Sequence, residues 1–238
     1  MLNDYSKCKK CNHTNPVYTH ICEKCRSYLR ERVVNIDLWK TIQLIIEDPN
    51  KAFTQIIFSE HKNFILFLTL FIAIKNLVIA RFLSVPTLGL DGVTTPLIVS
   101  FIFSILLSLL ITSGISWLQL LFYKGRKLIF RFKDIYAVNT YALIPFLFGL
   151  FFIFPVELIV LGGDIFSNNP YSYQIKPALS YILMTIEVIM IIWSFVLMYK
   201  SILVLGIKRT QSALLIILLF ILWFSSLYLA SKVLFTII

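Results

Sequence analysis

Charge is what this sequence has least of. Only 14% of its 238 residues are Asp, Glu, Lys or Arg, against about 25% in ordinary soluble domains, which are also only about 45–50% apolar. Here 58% of the residues are apolar. So little polar surface excludes enclosing that apolar material in one water-soluble core, and a bilayer becomes the natural solvent. Residues 1 to 35 lack the apolar run that forms the heart of a secretory signal, so no cleaved leader is expected. The stretch Phe235-Thr236-Ile237-Ile238 carries no lipidation motif. No nucleophile–base pair, catalytic metal motif, phosphate-cradling glycine loop or repeated half is found, so enzyme activity is not expected. Acidic residues are scarcer than basic ones, 12 against 22, giving a net charge of +10. Such a balance suits nucleic acid only when the basic residues gather on one folded face. These fall between apolar blocks instead, and no nucleic-acid partner is expected.

What is there begins with five apolar stretches near the length of about 20 residues that a membrane helix needs. They run near Phe64 to Leu83, Leu97 to Tyr123, Ile135 to Gly162, Ala178 to Tyr199 and Thr210 to Ser231. The second is free of charge throughout and, at about 1.5 Å per residue, is longer than a hydrocarbon core of about 30 Å, so it should tilt or protrude. Pro145 and Pro155 fall inside the third, which should kink or break there. Outside the spans, Lys and Arg alternate between rich and poor connections. The segment up to Lys62 carries ten, the loop after the second span five and the loop after the fourth three, whereas the other two loops and the tail carry one each. With five spans this alternation predicts a cytoplasmic N-terminus and a C-terminus outside.

All four cysteines lie in "CKKCNHTNPVYTHICEKC", residues 8 to 25, as Cys8-x2-Cys11 and Cys22-x2-Cys25. Two such pairs can each present two thiolates from a tight turn and together complete a tetrahedral four-sulfur shell around structural Zn2+. Asn15-Pro16 reads as the turn of a small ribbon, with Tyr18 and Ile21 placed to cover the metal and His13 and His20 at its surface. A piece this small, with so few apolar groups, should need the metal to fold. Two disulfides would suit an oxidising compartment, but the predicted topology puts these thiols in the reducing cytoplasm. A thioredoxin-like site would need a βαβ context that is absent. Iron is chemically open in the same shell. The ribbon reads either as a simple folded cap or as a docking module.

Residues 36 to 62, "IDLWKTIQLIIEDPNKAFTQIIFSEHK", are too short in apolar run to cross a bilayer. Leu38, Trp39, Ile42, Ile45 and Ile46 recur at helical spacing, then Asp48-Pro49 reads as an N-cap followed by proline at the first helical position. Phe53, Ile56 and Ile57 mark one face of a second helix. Two amphipathic helices lying in the membrane interface are expected, with Trp39 at headgroup depth; a peptide-binding groove is the other reading.

Within the spans, Ser100, Ser104, Ser108, Thr112 and Ser116 repeat every four residues, a ridge suited to close helix packing or, alternatively, to a pore lining. Lys75 and Glu187 sit near the middle of their spans and Glu157 nearer the outer end of its own. Each intramembrane charge costs about 2.5–3.5 kcal/mol on insertion scales, so each needs a reason. Lys75 and Glu187 make a candidate pair that registers two helices, and Glu157 could reach water or Arg81. The functional alternative for the three is a proton or ion pathway.

Three phrases, "EDPNKAFTQIIFSEHKNF" (47–64), "FKDIYAVNTYALIPFLFGL" (132–150) and "IWSFVLMYKSILVLGIKRTQSALLIILLF" (192–220), resemble the Yip family of Ypt/Rab-interacting, five-span membrane proteins. The shared features are an Asp-Pro helix before the membrane, Tyr141 four residues before Pro145, and Trp193 ahead of a basic turn into the last span. The resemblance covers residues 40 to 235, and the ribbon is similar to one fused to prokaryotic members. It implies a prokaryotic cytoplasmic membrane and no catalytic residue. Eukaryotic relatives bind prenylated small GTPases, but this chain has the ribbon in place of their long N-terminal arm, so that binding is not carried over.

The expected architecture is therefore an all-α polytopic membrane protein: a zinc ribbon (1–33) with Cys8, Cys11, Cys22 and Cys25 as ligands, interfacial amphipathic helices (34–62), and a five-helix Yip-like domain (63–238). The expected function is a non-enzymatic scaffold or membrane-organising factor. Its partners would be the bilayer and a cytosolic protein contacting the ribbon and basic loops, with self-association left open. The rival is a small ion or solute transporter built on Lys75, Glu157 and Glu187.

Overall fold

The computed structural model describes all residues except 1–4, 17–18, 20, 30–33, 85–96, 127, 129, 163–171 and 237–238. It opens on a two-stranded antiparallel ribbon, β1 (Tyr5–Lys7) and β2 (Thr14–Pro16), with Tyr5 opposite Pro16, Ser6 opposite Asn15 and Lys7 opposite Thr14. Asn15 and Pro16 thus belong to a strand, and the reversal expected at them falls earlier, at Lys9–Cys11. The first cysteine pair dictates this. The Cys8 N–H donates to His13 O and the Asn12 N–H to Cys8 O, both at 2.9 Å, closing a loop around the pair before the chain can turn elsewhere.

Helix α1 (Leu38–Glu47) starts at Asp37, whose side chain accepts from the Lys40 N–H at 3.1 Å. Helix α2 (Pro49–Phe58) starts at Asp48, which accepts from the Lys51 N–H at 3.2 Å, with proline in the first turn. A proline costs nothing there because that N–H has no partner in a helix. The two helices do not share one environment. On α1, Trp39 is 78% exposed and Ile46 is exposed, while Ile45 is buried. On α2, Phe53, Ile56 and Ile57 are all buried, and the helix packs on α5 and α9, introduced below. The expectation of two helices lying in the interface is corrected for α2, whose apolar face is covered by protein.

The rest of the chain is helical: α3 (Ile65–Ser84), α4 (Leu97–Lys124), α5 (Phe132–Ala142), α6 (Ile144–Phe148), a π-helical segment (Gly149–Ile153), α7 (Phe154–Leu161), α8 (Ser172–Ile175), α9 (Pro177–Val204) and α10 (Arg209–Thr236). Among the described residues, four stretches are long and apolar enough to cross a membrane: Ile98–Lys124, Ile144–Leu161, Pro177–Val204 and Arg209–Lys232. The first expected span corresponds to α3, an apolar helix shorter in its described part, Ile65–Ala80. The third expected span is broken, and its candidate crossing begins at Ile144 rather than Ile135. Leu143 leaves the helical path just before Pro145. Pro155, having no N–H, cannot serve the carbonyl four residues back, and the turn before it widens so that the Phe154 N–H reaches Gly149 O.

Two bonds fix how α9 lies against this broken run. The Phe146 N–H donates to Ser194 Oγ at 2.9 Å, and Lys176 Nζ donates to Val160 O at 2.6 Å. As one number rises the other falls, so α9 is antiparallel to α6–α7. The start of α5 and the end of α9 therefore share one end of the bundle with α2.

The bundle is apolar on its outer face, and its apolar interior holds a set of buried hydroxyls and amides. Along α4 the ridge Ser100, Ser104, Ser108, Thr112 and Ser116 is buried, while Ile98, Ile102, Leu106 and Leu110 are exposed. Along α10, Leu214, Ile217, Ile221 and Leu229 are exposed in the same way. The ridge is a packing surface: Ser104 Oγ donates to Ala73 O at 2.7 Å, Asn76 Nδ2 to Ser108 Oγ at 2.9 Å and Asn139 Nδ2 to Ser116 Oγ at 2.9 Å. Small side chains let the backbones approach, and the hydroxyls then have partners on the neighbouring helix.

At the α2 end, Lys62 plugs the helix terminus. Its Nζ donates to the carbonyls of Ile56, Ile57 (2.8 Å) and Ser59 (2.9 Å) and lies 3.1 Å from Asp134 Oδ1. Asp134 in turn takes two bonds from Arg131, at 2.9 and 3.0 Å. Burial pulls the Lys62 ammonium below its ordinary value, and the attraction of Asp134 opposes that pull. Removing one member of a buried pair typically costs about 3–5 kcal/mol because the survivor stays buried. Asp134→Ala should destabilise the protein by the lower part of that range, read as a reduced thermal midpoint in detergent, since three carbonyls still hold Lys62. Lys62→Met with Asp134→Leu should recover most of the loss.

Candidate metal centre and intramembrane ion pair

Each Cys-x-x-Cys pair folds into the same small loop. In the second, the Cys22 N–H donates to Ser27 O and the Arg26 N–H to Cys22 O, both at 2.9 Å, repeating the bonds at Cys8–His13. Asn12 and Arg26 occupy equivalent places with φ of 54° and 55°. Asparagine enters this left-handed region readily, whereas arginine does so at some cost, which the loop bonds and the thiol cluster must offset. Two equivalent loops facing one another bring all four sulfurs to a single point. Cys8 Sγ lies 3.5 Å from Cys25 Sγ and Cys11 Sγ 3.6 Å from Cys22 Sγ, with all four within 4.8 Å. These distances are far beyond the roughly 2.05 Å of a disulfide, and the thiols are free. The four cysteines form one site that can hold a metal ion.

What covers the site differs from the expectation. Ile21 is exposed and its strand-like bridge goes to Tyr28, while Tyr18 and His20 lie outside the described residues. The cover comes from Asn15 and Ser27. Asn15 is fully buried; its Nδ2 donates to His13 O at 2.9 Å and reaches Cys22 Sγ at 3.5 Å, and its Oδ1 accepts from the Glu23 N–H at 3.0 Å. One amide thus ties β2 to both loops. The Ser27 hydroxyl lies 3.2 Å from Cys8 Sγ and 3.0 Å from Cys25 Sγ. His13 is half-buried and supplies its backbone rather than its ring to these bonds.

The electrostatics of the four thiols call for a cation. The Ser27 hydroxyl, with the N–H groups of Cys11 and Lys10 and the Cys25 thiol, lowers the Cys8 thiol to about 6 against the opposing effect of burial. At Cys11 an N–H from His13 also favours the thiolate, yet burial and the sulfurs of Cys25, Cys22 and Cys8 raise it to about 12. Sulfurs this close cannot all become anionic by themselves, because each thiolate opposes the next.

The charges singled out in the spans also come together in part. Lys75 Nζ lies 2.5 Å from Glu187 Oε1, both side chains largely buried, joining α3 to α9. Glu187 lies flat against the widened turn: a Cβ at Gly149 would meet its Oε2 at 2.8 Å and Oε1 at 3.0 Å. Glu157 is buried on α7 and its Oε2 has no partner among the described residues. The side chain of Arg81 lies outside the described residues.

Sequence reasoning missed a set of amides. Asn139 Nδ2 bonds Ser116 Oγ at 2.9 Å and Gln119 Oε1 at 2.8 Å, linking α5 to α4, and the Tyr141 hydroxyl donates to Asn63 O at 2.8 Å. The available signal was the lone Asn or Gln inside an otherwise apolar stretch, which is costly in lipid unless paired.

Metal added at neutral pH to metal-free protein should release protons, Cys11 contributing one, as a pH indicator would record, because a thiol held near 12 gives up its proton only to a metal. Elemental analysis should find one metal per chain, absent in Cys22→Ser, with Asn15→Ala weakening retention by about 10-fold or more. Gly149→Ala should drive Glu187 off Lys75 and destabilise the bundle by about 1–3 kcal/mol, with a thermal loss that is smaller when Glu187 has already been changed to Gln. Comparison with protein-family models, with characterised proteins and with solved structures finds no match to this chain.

Proposed function

We propose that this protein is a non-enzymatic, five-span membrane protein of the Yip type, with a structural zinc ribbon as its contact module on the cytoplasmic side. The observation that carries this reading is the pairing of two unlike parts in one chain: a four-thiol cluster on a small two-stranded ribbon, and a helix bundle with an exposed apolar outer face and serines buried at its helix contacts. The first part fits zinc. Four thiolates about 2.3 Å from one zinc ion stand about 3.8 Å apart, close to the 3.5 and 3.6 Å of the two closest described pairs. Sulfur ligands alone, with further N–H and hydroxyl bonds to them, favour a closed structural site over a catalytic one, which keeps a position open.

The second part supports α3 as the first of five crossings. It is apolar, it buries Lys75 against Glu187 rather than exposing it, and it packs along α4 and α10. With five crossings, the basic stretches 124–133 and 200–209 fall on the same side as the ribbon, the side that the positive-inside rule makes cytoplasmic. Exposed Trp39 and Ile46 on α1 suit the headgroup layer of that leaflet. The Lys75–Glu187 pair serves as a helix lock, since a paired charge in lipid costs far less than two lone ones. These parts support a scaffold that engages a cytosolic protein through the ribbon and basic loops, and the Yip resemblance implies a prokaryotic cytoplasmic membrane.

Photocrosslinking in intact cells from a residue of the ribbon, for example Lys24, should capture a cytosolic protein, and Cys22→Ser with Cys25→Ser should abolish capture while the protein still inserts. Unchanged capture by that variant removes the ribbon from the interaction. A membrane-impermeant thiol reagent applied outside the cell should spare a cysteine placed at Lys124 and modify one placed at Lys176.

A further inference from the structure

Away from the Lys62–Asp134 pair, two carboxylates, Glu157 and Glu187, lie near one ammonium, Lys75. Lys75 is committed to Glu187 at 2.5 Å, and Glu187 is pinned against the Gly149 backbone. Glu157 is the acid left over: its residue is 5% exposed and its Oε2 has no partner among the described residues. The antiparallel packing brings it into the same neighbourhood. Leu161 of α7 and Leu183 of α9 belong to one buried cluster, and one helical turn further along each helix stand Glu157 and Glu187. Among the described residues, the charged groups whose fields reach Glu157 are Glu187 and Lys75. Lys176, at the start of α9, is engaged by the Val160 carbonyl. Leu161 and Leu183, with Ile153, Phe154 and Val160 packed against them, form an apolar cluster on the same helices.

A carboxylate to which no described cation is bonded is unfavourable as an anion in such surroundings, the more so beside Glu187, and its simplest neutraliser is a proton. We propose that Glu157 is a proton-binding site within the membrane domain. It takes up one proton from water, carboxylate plus H+ giving the carboxylic acid, and releases it by the reverse step, with Lys75–Glu187 as a fixed ion pair beside it. Glu157 sits one turn from the end of α7 at Leu161, and the site would hold a single proton. This goes beyond the scaffold reading and does not depend on it.

Dicyclohexylcarbodiimide reacts with protonated carboxyl groups in apolar surroundings and suits the test on full-length protein in lipid nanodiscs. Peptide mass spectrometry should place the adduct on Glu157 at neutral pH. Its yield should fall as the pH is raised, and Glu157→Gln should abolish it. In Lys75→Met, where two carboxylates remain without their ammonium, an adduct should also appear on Glu187, which shows that the reagent reaches the site. Labelling of Lys75→Met but not of the unaltered protein overturns the proposal, as does an adduct on Glu187 instead of Glu157. Suppression of labelling by sodium at constant pH overturns the assignment of the ligand as a proton. An infrared carbonyl band of a buried carboxylic acid should disappear in Glu157→Gln with helicity unchanged; its absence from the unaltered protein also overturns the proposal, whatever the labelling.

Discussion

A polar group surrounded by hydrocarbon has to find its partner within the protein, since no water is at hand and an unpaired group costs several kcal/mol. The helix bundle is arranged around that demand. Ser104 reaches a backbone carbonyl on α3, Asn76 reaches Ser108, Asn139 reaches Ser116 and Gln119, and Lys75 reaches Glu187. Each bond crosses from one helix to another, so the polar groups decide which helices touch and at what height. Apolar side chains do not make this choice, because lipid tails satisfy them as well as a neighbouring helix does. The two prolines fit the same logic. Pro145 and Pro155 withdraw N–H groups from the third apolar stretch, and the chain responds with a break at Leu143 and a widened turn at Gly149–Ile153. That widened turn presents a glycine against which Glu187 can lie.

The N-terminal ribbon meets the opposite difficulty. It has almost no apolar residues to bury, and its centre consists of four sulfurs with Asn15 and Ser27. The duplicated loop bonds at Cys8 and Cys22 show how little chain is needed to present two thiols in a set direction. The raised Cys11 and lowered Cys8 are two sides of one arrangement, in which the first thiolate is welcomed by donors and the last is opposed by its neighbours. A bound cation resolves that conflict, and its binding free energy is then part of the folding free energy of the ribbon.

Much of this was legible along the chain. The Asp48-Pro49 helix start, the serine ridge as a packing face, the grouping of the four cysteines and the meeting of Lys75 with Glu187 each rest on a local rule: a cap, a period of four, a knuckle spacing, opposite charges at similar depth. Where reading failed, two long-range options competed. Asn15-Pro16 has turn chemistry, but the loop bonds of the Cys8 pair had already set the reversal. Phe53, Ile56 and Ile57 give the same amphipathic pattern whether the helix faces lipid or protein, and α5 and α9 supply protein. The plug formed by Lys62 and Asp134 was hidden because Lys62 looks like any other basic residue ahead of a span.

The sequence by itself determined the membrane-like character of this protein, the rough placement of its four long apolar helices and the site where a metal can sit. Those properties are sums or short spacings, and no other part of the chain can alter them. Tertiary structure alone decided that α2 belongs to the bundle, that Asn15 rather than Ile21 closes over the sulfurs, and that Glu157 Oε2 has no partner among the described residues. Each of those outcomes depends on which distant segment arrives opposite a given side chain, and partner identity is settled only when the helices pack.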